Sequence, residues 1–141
     1  MKYVVDSSVA FKWVVPEADT DKAIRLRDAY AQGFHELLAP DVFPLEVGHA
    51  LTRGERQKRL AVGLAKGSLA DIMNASPQLH SSLPLLVQAC DISSAHRIGI
   101  YDCLYVVLAD QEGCEFITAD DNLVKNLQKT YPCIVALSSL P

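Results

Sequence analysis

The sequence predicts an α/β fold in which helices cover both faces of a mainly parallel central sheet. Short apolar runs typical of strands alternate with longer helical patterns along the whole chain. No internal repeat, low-complexity tract or Gly/Ser-rich linker divides the 141 residues, so we expect a single domain covering residues 1–141. Half of the residues are apolar, which is enough for a substantial core. Helical crossovers between parallel strands are right-handed, and the sequence therefore predicts a three-layer α/β/α arrangement with about four or five strands.

Capping residues and prolines divide the first half of the chain into elements. Residues 3–5 form an apolar run typical of a first strand. Ser7 and Ser8 are suited to cap a short helix, which Pro16 ends. The further elements expected in this half are a helix from residue 20 or 21 to about 32, a strand at 36–39 and a helix at 42–59, whose first turn tolerates Pro44.

The second half of the chain is predicted to be mostly helical, with two strands near its end. A helix is expected at residues 61–74, although Gly63 and Gly67 weaken helix formation there. The very apolar segment 102–112 predicts a buried helix that Gly113 closes. The remaining predictions are a helix at 83–96, a strand at 115–118, a helix at 121–131 and a last strand at 133–137.

Four acidic residues lie at the edges of these apolar segments. Asp6 and Asp120 each follow a predicted strand, Glu46 lies within the apolar face of its helix, and Asp102 opens the buried helix. Burying an unpaired carboxylate costs several kcal/mol or raises its pKa until it is neutral. Ligands of parallel sheets bind beyond the carboxyl ends of the strands. If the four carboxylates converge there, hard cations such as Mg²⁺ or Mn²⁺ are their natural compensation.

Each of these acids also has a plainer interpretation. Asp6 is suited to cap the helix after it, and Asp102 to complement a helix dipole. Glu46 has possible ion-pair partners in His49 and Arg53, three and seven residues further along the helix.

The fourth acid has competing neighbours. Of Asp120 and Asp121, we expect Asp121 to cap the following helix and Asp120 to be free for chemistry, with Asp121 as the alternative ligand. Ser8, Thr118 and Asn122 are candidates to orient the carboxylates from a second shell, or only to cap the backbone.

Charge and cysteine content exclude several other classes of protein. The net charge of −4 argues against gripping nucleic acid by bulk electrostatics. Locally, five basic residues and one acid between residues 53 and 66 give a charge of +4, and Arg53, Arg56 and Arg59 are candidate contacts for the phosphates of a polyanion or simply a solvated helix face. The four cysteines show no CxxC spacing, which argues against zinc.

Membrane insertion and export are not expected. The longest apolar run has seven residues, at 103–109, against about 20 needed to span a bilayer. The first residues reach Asp6 too soon for a secretory signal, so we expect a cytoplasmic protein.

A phosphoryl-transfer domain with Asp6 as the acceptor is a weaker alternative. Such phosphatases usually need a second acid two residues later, where this chain has Ser8.

Several stretches carry a resemblance to a known family. These are Tyr3-Val4-Val5-Asp6-Ser7-Ser8-Val9, Leu45-Glu46-Val47, Ile100-Tyr101-Asp102-Cys103-Leu104-Tyr105-Val106-Val107-Leu108-Ala109 and Ile117-Thr118-Ala119-Asp120. Their order and spacing resemble those of PIN-domain nucleases, above all the VapC-type toxins of toxin–antitoxin pairs, over essentially the whole chain.

The resemblance implies a PIN-like fold and a metal-dependent ribonuclease. It implies that Asp6, Glu46, Asp102 and Asp120 are the catalytic residues, holding one or two Mg²⁺ or Mn²⁺ ions, and that the partners are an RNA substrate, a small antitoxin and a second copy of the chain. Two departures from the family pattern are Cys103 in place of a common alanine and the lack of a basic residue after Asp120. A non-toxin RNA-processing nuclease and a catalytically silent PIN-fold binding module are the alternatives.

Overall fold

A computed structural model describes all residues from Met1 to Pro141 and contains one five-stranded sheet. The strands are β1 (Lys2–Val5), β2 (Glu36–Pro40), β3 (Gln78–His80), β4 (Glu115–Thr118) and β5 (Ile134–Ala136). Their order across the sheet is β3-β2-β1-β4-β5, and every neighbouring pair is parallel. The α/β class and the parallel sheet predicted from the sequence are confirmed.

Seven α-helices connect and flank the strands. They are α1 (Ser7–Phe11), α2 (Thr20–Ala31), α3 (Phe43–Arg56), α4 (Ala65–Asn74), α5 (Leu86–His96), α6 (Ile100–Glu112) and α7 (Asp121–Leu127). Short 3-10 turns lie at Leu83–Leu85 and Leu137–Ser139. None of the helices combines the length and the apolarity that crossing a bilayer requires.

The core forms around the middle strands and α6. Seven consecutive residues of α6, from Cys103 to Ala109, are buried, as its apolar sequence predicts. Because α6 is apolar on nearly every side, it packs against β1, β2 and β4 on one side and against α5 on another. This burial holds the beginning of α6, which carries Asp102, against the carboxyl edge of the sheet.

One strand was not predicted, and it lies at the edge of the sheet. β3 has only three residues and follows Pro77, and its side chains are exposed or half-buried. Such a strand is defined by its backbone pairing with β2, with Leu38 opposite Gln78, rather than by an apolar run. The sequence therefore carries no periodic signal for it.

Four helices are shorter than the sequence predicts, and one of them, α5, begins at Leu86 instead of residue 83 because Leu83–Leu85 form a 3-10 turn. α4 begins at Ala65 instead of residue 61, after Gly63 adopts a left-handed φ of +93°. α3 ends at Arg56 instead of residue 59, because Lys58 also has a left-handed backbone, with φ of 61°. α7 ends at Leu127, four residues earlier than predicted. The loss of regular structure before residue 59 places Arg59 outside α3.

Candidate active site: an acidic cleft at the carboxyl edge of the sheet

A cleft of about 790 Å³ opens where β1 and β4 end and where α1, α3, α6 and α7 begin. All four acids singled out in the sequence line it: Asp6, Glu46, Asp102 and Asp120. Its other lining residues are Ser7, Ser8, Phe11, Lys12, Glu17, Val42, Leu45, His49, Ala50, Arg53, Gly54, Gln57, Arg59, Tyr101 and Ala119. The acids are spread over more than a hundred positions of the chain, so the sheet topology brings them together.

Asp6 is the most deeply buried of the four acids, with 6% of its surface exposed. Its Oδ1 accepts hydrogen bonds from Ser8 Oγ (2.5 Å) and from the backbone amides of Ser8 (3.1 Å) and Val9 (3.4 Å). Thr118 Oγ1 donates to Oδ2 at 2.6 Å. The carboxylate thus caps α1, as one interpretation of the sequence predicted, and also lines the cleft.

Ser8 and Thr118 connect the ends of the two central strands. Ser8 Oγ accepts from the backbone amide of Ala119 at 2.9 Å while it donates to Asp6. Thr118 Oγ1 accepts from the backbone amide of Asp120 at 3.1 Å. These hydroxyls fix Asp6 relative to the end of β4, the orienting position that the sequence analysis proposed for them.

Glu46 projects from the first turn of α3 and is held by a residue that the sequence analysis did not single out. The buried Tyr105 hydroxyl donates to Glu46 Oε1 at 2.6 Å, and its ring stacks on Phe116 with centroids 5.6 Å apart. Glu46 forms no ion pair with His49 or Arg53, so the ion-pair interpretation of this residue is wrong. Tyr105 lies one helical turn after Asp102 on α6, so the two side chains share a face of the helix. This spacing is the only feature of the sequence that could have placed Tyr105 near the acids.

Asp120 caps α7, so the prediction that Asp121 caps this helix and leaves Asp120 free is wrong. Its Oδ1 accepts from the backbone amides of Asn122 (3.1 Å) and Leu123 (3.2 Å). Asp121 is the first residue of the helix and is exposed outside the cleft lining, as is Asn122. The strand leads directly into the helix here, so the residue at the strand end is also the capping residue.

Burial and mutual repulsion raise the pKa of three of these carboxyl groups. Burial raises the pKa of Asp6 to about 6, and the nearby Glu46 adds to this effect, while hydrogen bonds from Ser8, Thr118 and Val9 oppose it. Burial and the charges of Asp6 and Asp120 raise the pKa of Asp102 to about 6. Burial, and to a lesser degree Asp102, raise the pKa of Glu46, while the bond from Tyr105 lowers it. The acids are thus close enough for the charge of one to raise the pKa of another.

The donor chemistry of the cleft suits a hard divalent cation. The ion pairs of the protein involve none of the four carboxylates, so no lysine or arginine neutralises them. In this structure no three acidic, histidine or cysteine side chains are close enough to share one ion. A small cation that keeps part of its water shell fits such a spaced set of carboxylate oxygens better than an ion that needs a closed cage.

Two of the three arginines proposed from the sequence as phosphate contacts lie at the cleft. Arg53 and Arg59 line the cleft, whereas Arg56 does not. Glu17, which no pattern in the sequence singled out, also lines the cleft and pairs with Lys12 at 3.1 Å. Their pairing depends on how the segment between α1 and α2 folds back, which no periodic pattern indicates.

The fold and the cleft together define a class of protein, the three-layer α/β/α domains whose acidic side chains converge at the carboxyl ends of a parallel sheet. The chain belongs to the PIN domain family, whose family model matches residues 3–127. This confirms the family resemblance found in the sequence.

Similar proteins cover nearly the whole chain. A protein of Pyrobaculum aerophilum named Ribonuclease VapC3 is 29% identical over 137 residues, which are 96% of this chain and 98% of that protein. A Mycobacterium tuberculosis protein, also named Ribonuclease VapC3, is 30% identical over 122 residues, 86% of this chain and 85% of that protein.

Two crystal structures share the fold. PAE2754 from Pyrobaculum aerophilum has a TM-score of 0.70 at 20% identity and covers 99% of this chain and 94% of its own. VapBC2 from Rickettsia felis, bound to a DNA fragment from its promoter, has a TM-score of 0.63 at 12% identity and covers 96% of this chain and 97% of its own.

Proposed function

We propose that this protein is a Mg²⁺- or Mn²⁺-dependent endoribonuclease that hydrolyses RNA phosphodiester bonds, and that it is the toxin of a toxin–antitoxin pair. The observation that carries this proposal is the convergence of four carboxylates in one cleft without a basic residue paired to any of them. The two relatives named Ribonuclease VapC3 support the reaction. The fold neighbour described as VapBC2 is consistent with the toxin assignment.

In this proposal the four carboxylates would hold one or two ions, each bound by at most two of them as the side chains lie here, with water completing its shell. Asp6, Glu46, Asp102 and Asp120 would be the ligands and catalytic residues, whereas Asp121 lies outside the cleft lining. A cation held there would supply an acidified water for attack on phosphorus and would neutralise the charge that develops on the phosphate. The protein supplies the positions of the oxygens.

The hydrogen bonds around the cleft orient these ligands. Ser8 and Thr118 hold opposite oxygens of Asp6, and Tyr105 holds one oxygen of Glu46. In each case a hydroxyl donates to the carboxylate, which favours the ionised form that a cation needs. Asn122 contributes through its backbone amide, which fixes Asp120 Oδ1.

RNA is expected to approach along the basic side of the cleft. Arg53 and Arg59 line its wall and are suited to contact phosphates, with Arg56 further out on α3. The net charge of the chain is −4, so these contacts would act locally rather than through a long-range field.

An antitoxin segment has an apolar rim available beside the acids. Leu45 and Tyr101, both in the cleft lining, are 76% and 58% exposed. Large exposed apolar side chains next to a charged cleft suit the apolar face of an amphipathic helix, which would cover the acids. We further propose a single domain over residues 1–141 and a cytoplasmic location, as the sequence predicts, and a homodimer, as the resemblance to VapC-type toxins implies.

The experiment that tests this proposal compares RNA cleavage with and without the cation. Purified protein is incubated with total RNA in Mg²⁺ or Mn²⁺ and in EDTA, alongside Asp102→Asn and the control Asp110→Asn, an exposed acid on the same helix. Because a metal supplies several kcal/mol of transition-state stabilisation, we expect Asp102→Asn and EDTA each to slow cleavage at least about 100-fold, while Asp110→Asn stays near wild type. Cleavage that persists in EDTA contradicts the metal mechanism.

A further inference from the structure

Two cations and one carboxylate form a cluster on the cleft wall, which we call the Glu17 triad: Lys12, Glu17 and Arg59. Lys12 Nζ donates to Glu17 Oε1 at 3.1 Å, and the Arg59 guanidinium contacts the other oxygen, Oε2. All three side chains line the same cleft as the four acids. One carboxylate therefore bridges two cations, with one oxygen for each.

Two members of the triad, Lys12 and Glu17, are largely buried, whereas the Arg59 side chain is 48% exposed. The Lys12 and Glu17 side chains are only 12% and 18% exposed. The Arg59 guanidinium lies over the Phe11 ring, 5.2 Å from its centroid. Phe11 in turn packs so closely on α3 that a Cβ at Gly54 would lie 3.2 Å from its Cζ.

The segment that carries Glu17 is anchored at both ends. The backbone amide of Glu17 donates to Thr20 Oγ1 at 2.8 Å. The Trp13 indole donates to the backbone oxygen of Ala23 at 2.9 Å. The backbone that carries Lys12 and Glu17 is thus fixed before any ligand arrives, which lowers the entropic cost of binding one.

The two cations need an anion between them. Burial lowers the pKa of Lys12, and the charge of Arg59 lowers it further, although Asp19 and Asp121 oppose this. Glu17 relieves the repulsion with its two oxygens. A phosphodiester presents two non-bridging oxygens in a similar arrangement, and it accepts hydrogen bonds from arginine and lysine in the same way.

We infer that Lys12 and Arg59 form a subsite for a backbone phosphate of RNA beside the cleavage site, and that Glu17 occupies this subsite until RNA displaces it. The inference rests on the proposed function, since it assumes that RNA enters the acidic cleft. It makes Glu17 an internal competitor of the substrate, and it adds Lys12 to the residues that contact RNA.

The test measures binding in EDTA, so that cleavage does not interfere. The probe is a fluorescein-labelled single-stranded RNA of mixed sequence, about 12 nucleotides long, whose anisotropy is followed over a range of KCl concentrations. Glu17→Gln is compared with Glu112→Gln, which changes the net charge equally and releases Lys2 at the opposite edge of the sheet. Trp13 fluorescence checks that each variant is folded.

We expect Glu17→Gln to bind the probe about fivefold more tightly at low salt. A fivefold change in affinity corresponds to the upper range for the strength of a partly exposed ion pair, which RNA no longer has to break in this variant. The slope of log K against log [KCl] should steepen by about 0.7 for each additional phosphate that the released cations neutralise. Glu112→Gln should resemble the wild type. Adding Arg59→Gln to Glu17→Gln should return the affinity to the wild-type level.

Equal or weaker binding by Glu17→Gln overturns the inference, because Glu17 then only positions Lys12 and Arg59. The proposed function survives that result if the wild-type protein still cuts RNA in Mg²⁺. If the wild-type protein neither binds nor cuts RNA, the proposed function and the inference both fail.

Discussion

Replacing Asp6 by asparagine should stabilise the metal-free protein at neutral pH while abolishing its activity. Asp6 has an ordinary pKa of 3.8 when unfolded and a pKa of about 6 in the folded protein, mainly because it is buried. At 1.36 kcal/mol for each pH unit, ionised Asp6 therefore costs the folded state about 3 kcal/mol. Asparagine has nearly the same shape and no charge, so this cost disappears.

The expected stabilisation is smaller than this figure because one hydrogen bond changes. Asparagine keeps an oxygen that can accept from Ser8, but its amide group faces Thr118 Oγ1, which in the wild type donates to Asp6 Oδ2. Turning the Thr118 hydroxyl to another acceptor costs about 1 kcal/mol. We expect a net stabilisation of about 2 kcal/mol at pH 7.5, or roughly 6 °C in Tm for a chain of this size.

The stabilisation should depend on pH in a defined direction. The folded protein binds a proton at Asp6 more tightly than the unfolded chain, so Asp6 stabilises the wild type fully below about pH 3.8. That contribution is lost as the pH rises through about 6. The advantage of Asp6→Asn should therefore be complete above pH 7 and fade as the pH falls towards 4.

Urea unfolding in EDTA, followed by the fluorescence of the buried Trp13, measures this difference. The control is Asp28→Asn, an exposed acid of α2 paired with Arg27, which should change stability by less than about 0.5 kcal/mol. If Asp6→Asn is less stable than the wild type at pH 7.5, then burial does not destabilise the ionised carboxylate and the explanation of its raised pKa is wrong.

Two further substitutions test the geometry of the cleft. Tyr105→Phe removes the hydroxyl that donates to Glu46 but keeps the ring stacked on Phe116. We expect RNA cleavage, measured by cleavage kinetics, to fall about 10- to 100-fold. The free energy of unfolding, measured in urea, should change by less than about 1.5 kcal/mol. Unchanged cleavage would mean that Glu46 needs no orientation. Arg53→Gln should weaken RNA binding and reduce its salt slope by about 0.7, whereas Arg56→Gln on the same helix should have a smaller effect, because only Arg53 lines the cleft. Equal losses in anisotropy titrations would assign both arginines to a general basic surface.

The predictable parts of the fold are those with a strong local pattern. The apolar α6 could be recognised as buried because every position from Cys103 to Ala109 is apolar. β3 could not be recognised, because an edge strand of three partly exposed residues is defined by its pairing with β2. The predicted end of α3 and the predicted beginning of α4 were wrong, because each boundary depends on a single residue with a left-handed backbone, Lys58 and Gly63 respectively.

The candidate site divides in the same way. By itself the sequence determined the acidic residues, since a carboxylate at the end of an apolar strand or inside an apolar helix face is costly and therefore conspicuous. It also placed Asp6 and Asp120 at the carboxyl ends of two strands, which lie at one edge of a parallel sheet. That these two strands, β1 and β4, are neighbours was decided by the tertiary structure. Only the tertiary structure decided that Asp120 rather than Asp121 caps α7, that Tyr105 holds Glu46, and that Glu17 bridges Lys12 and Arg59. These contacts depend on distances between side chains far apart in the chain, and such distances are set by packing rather than by local pattern.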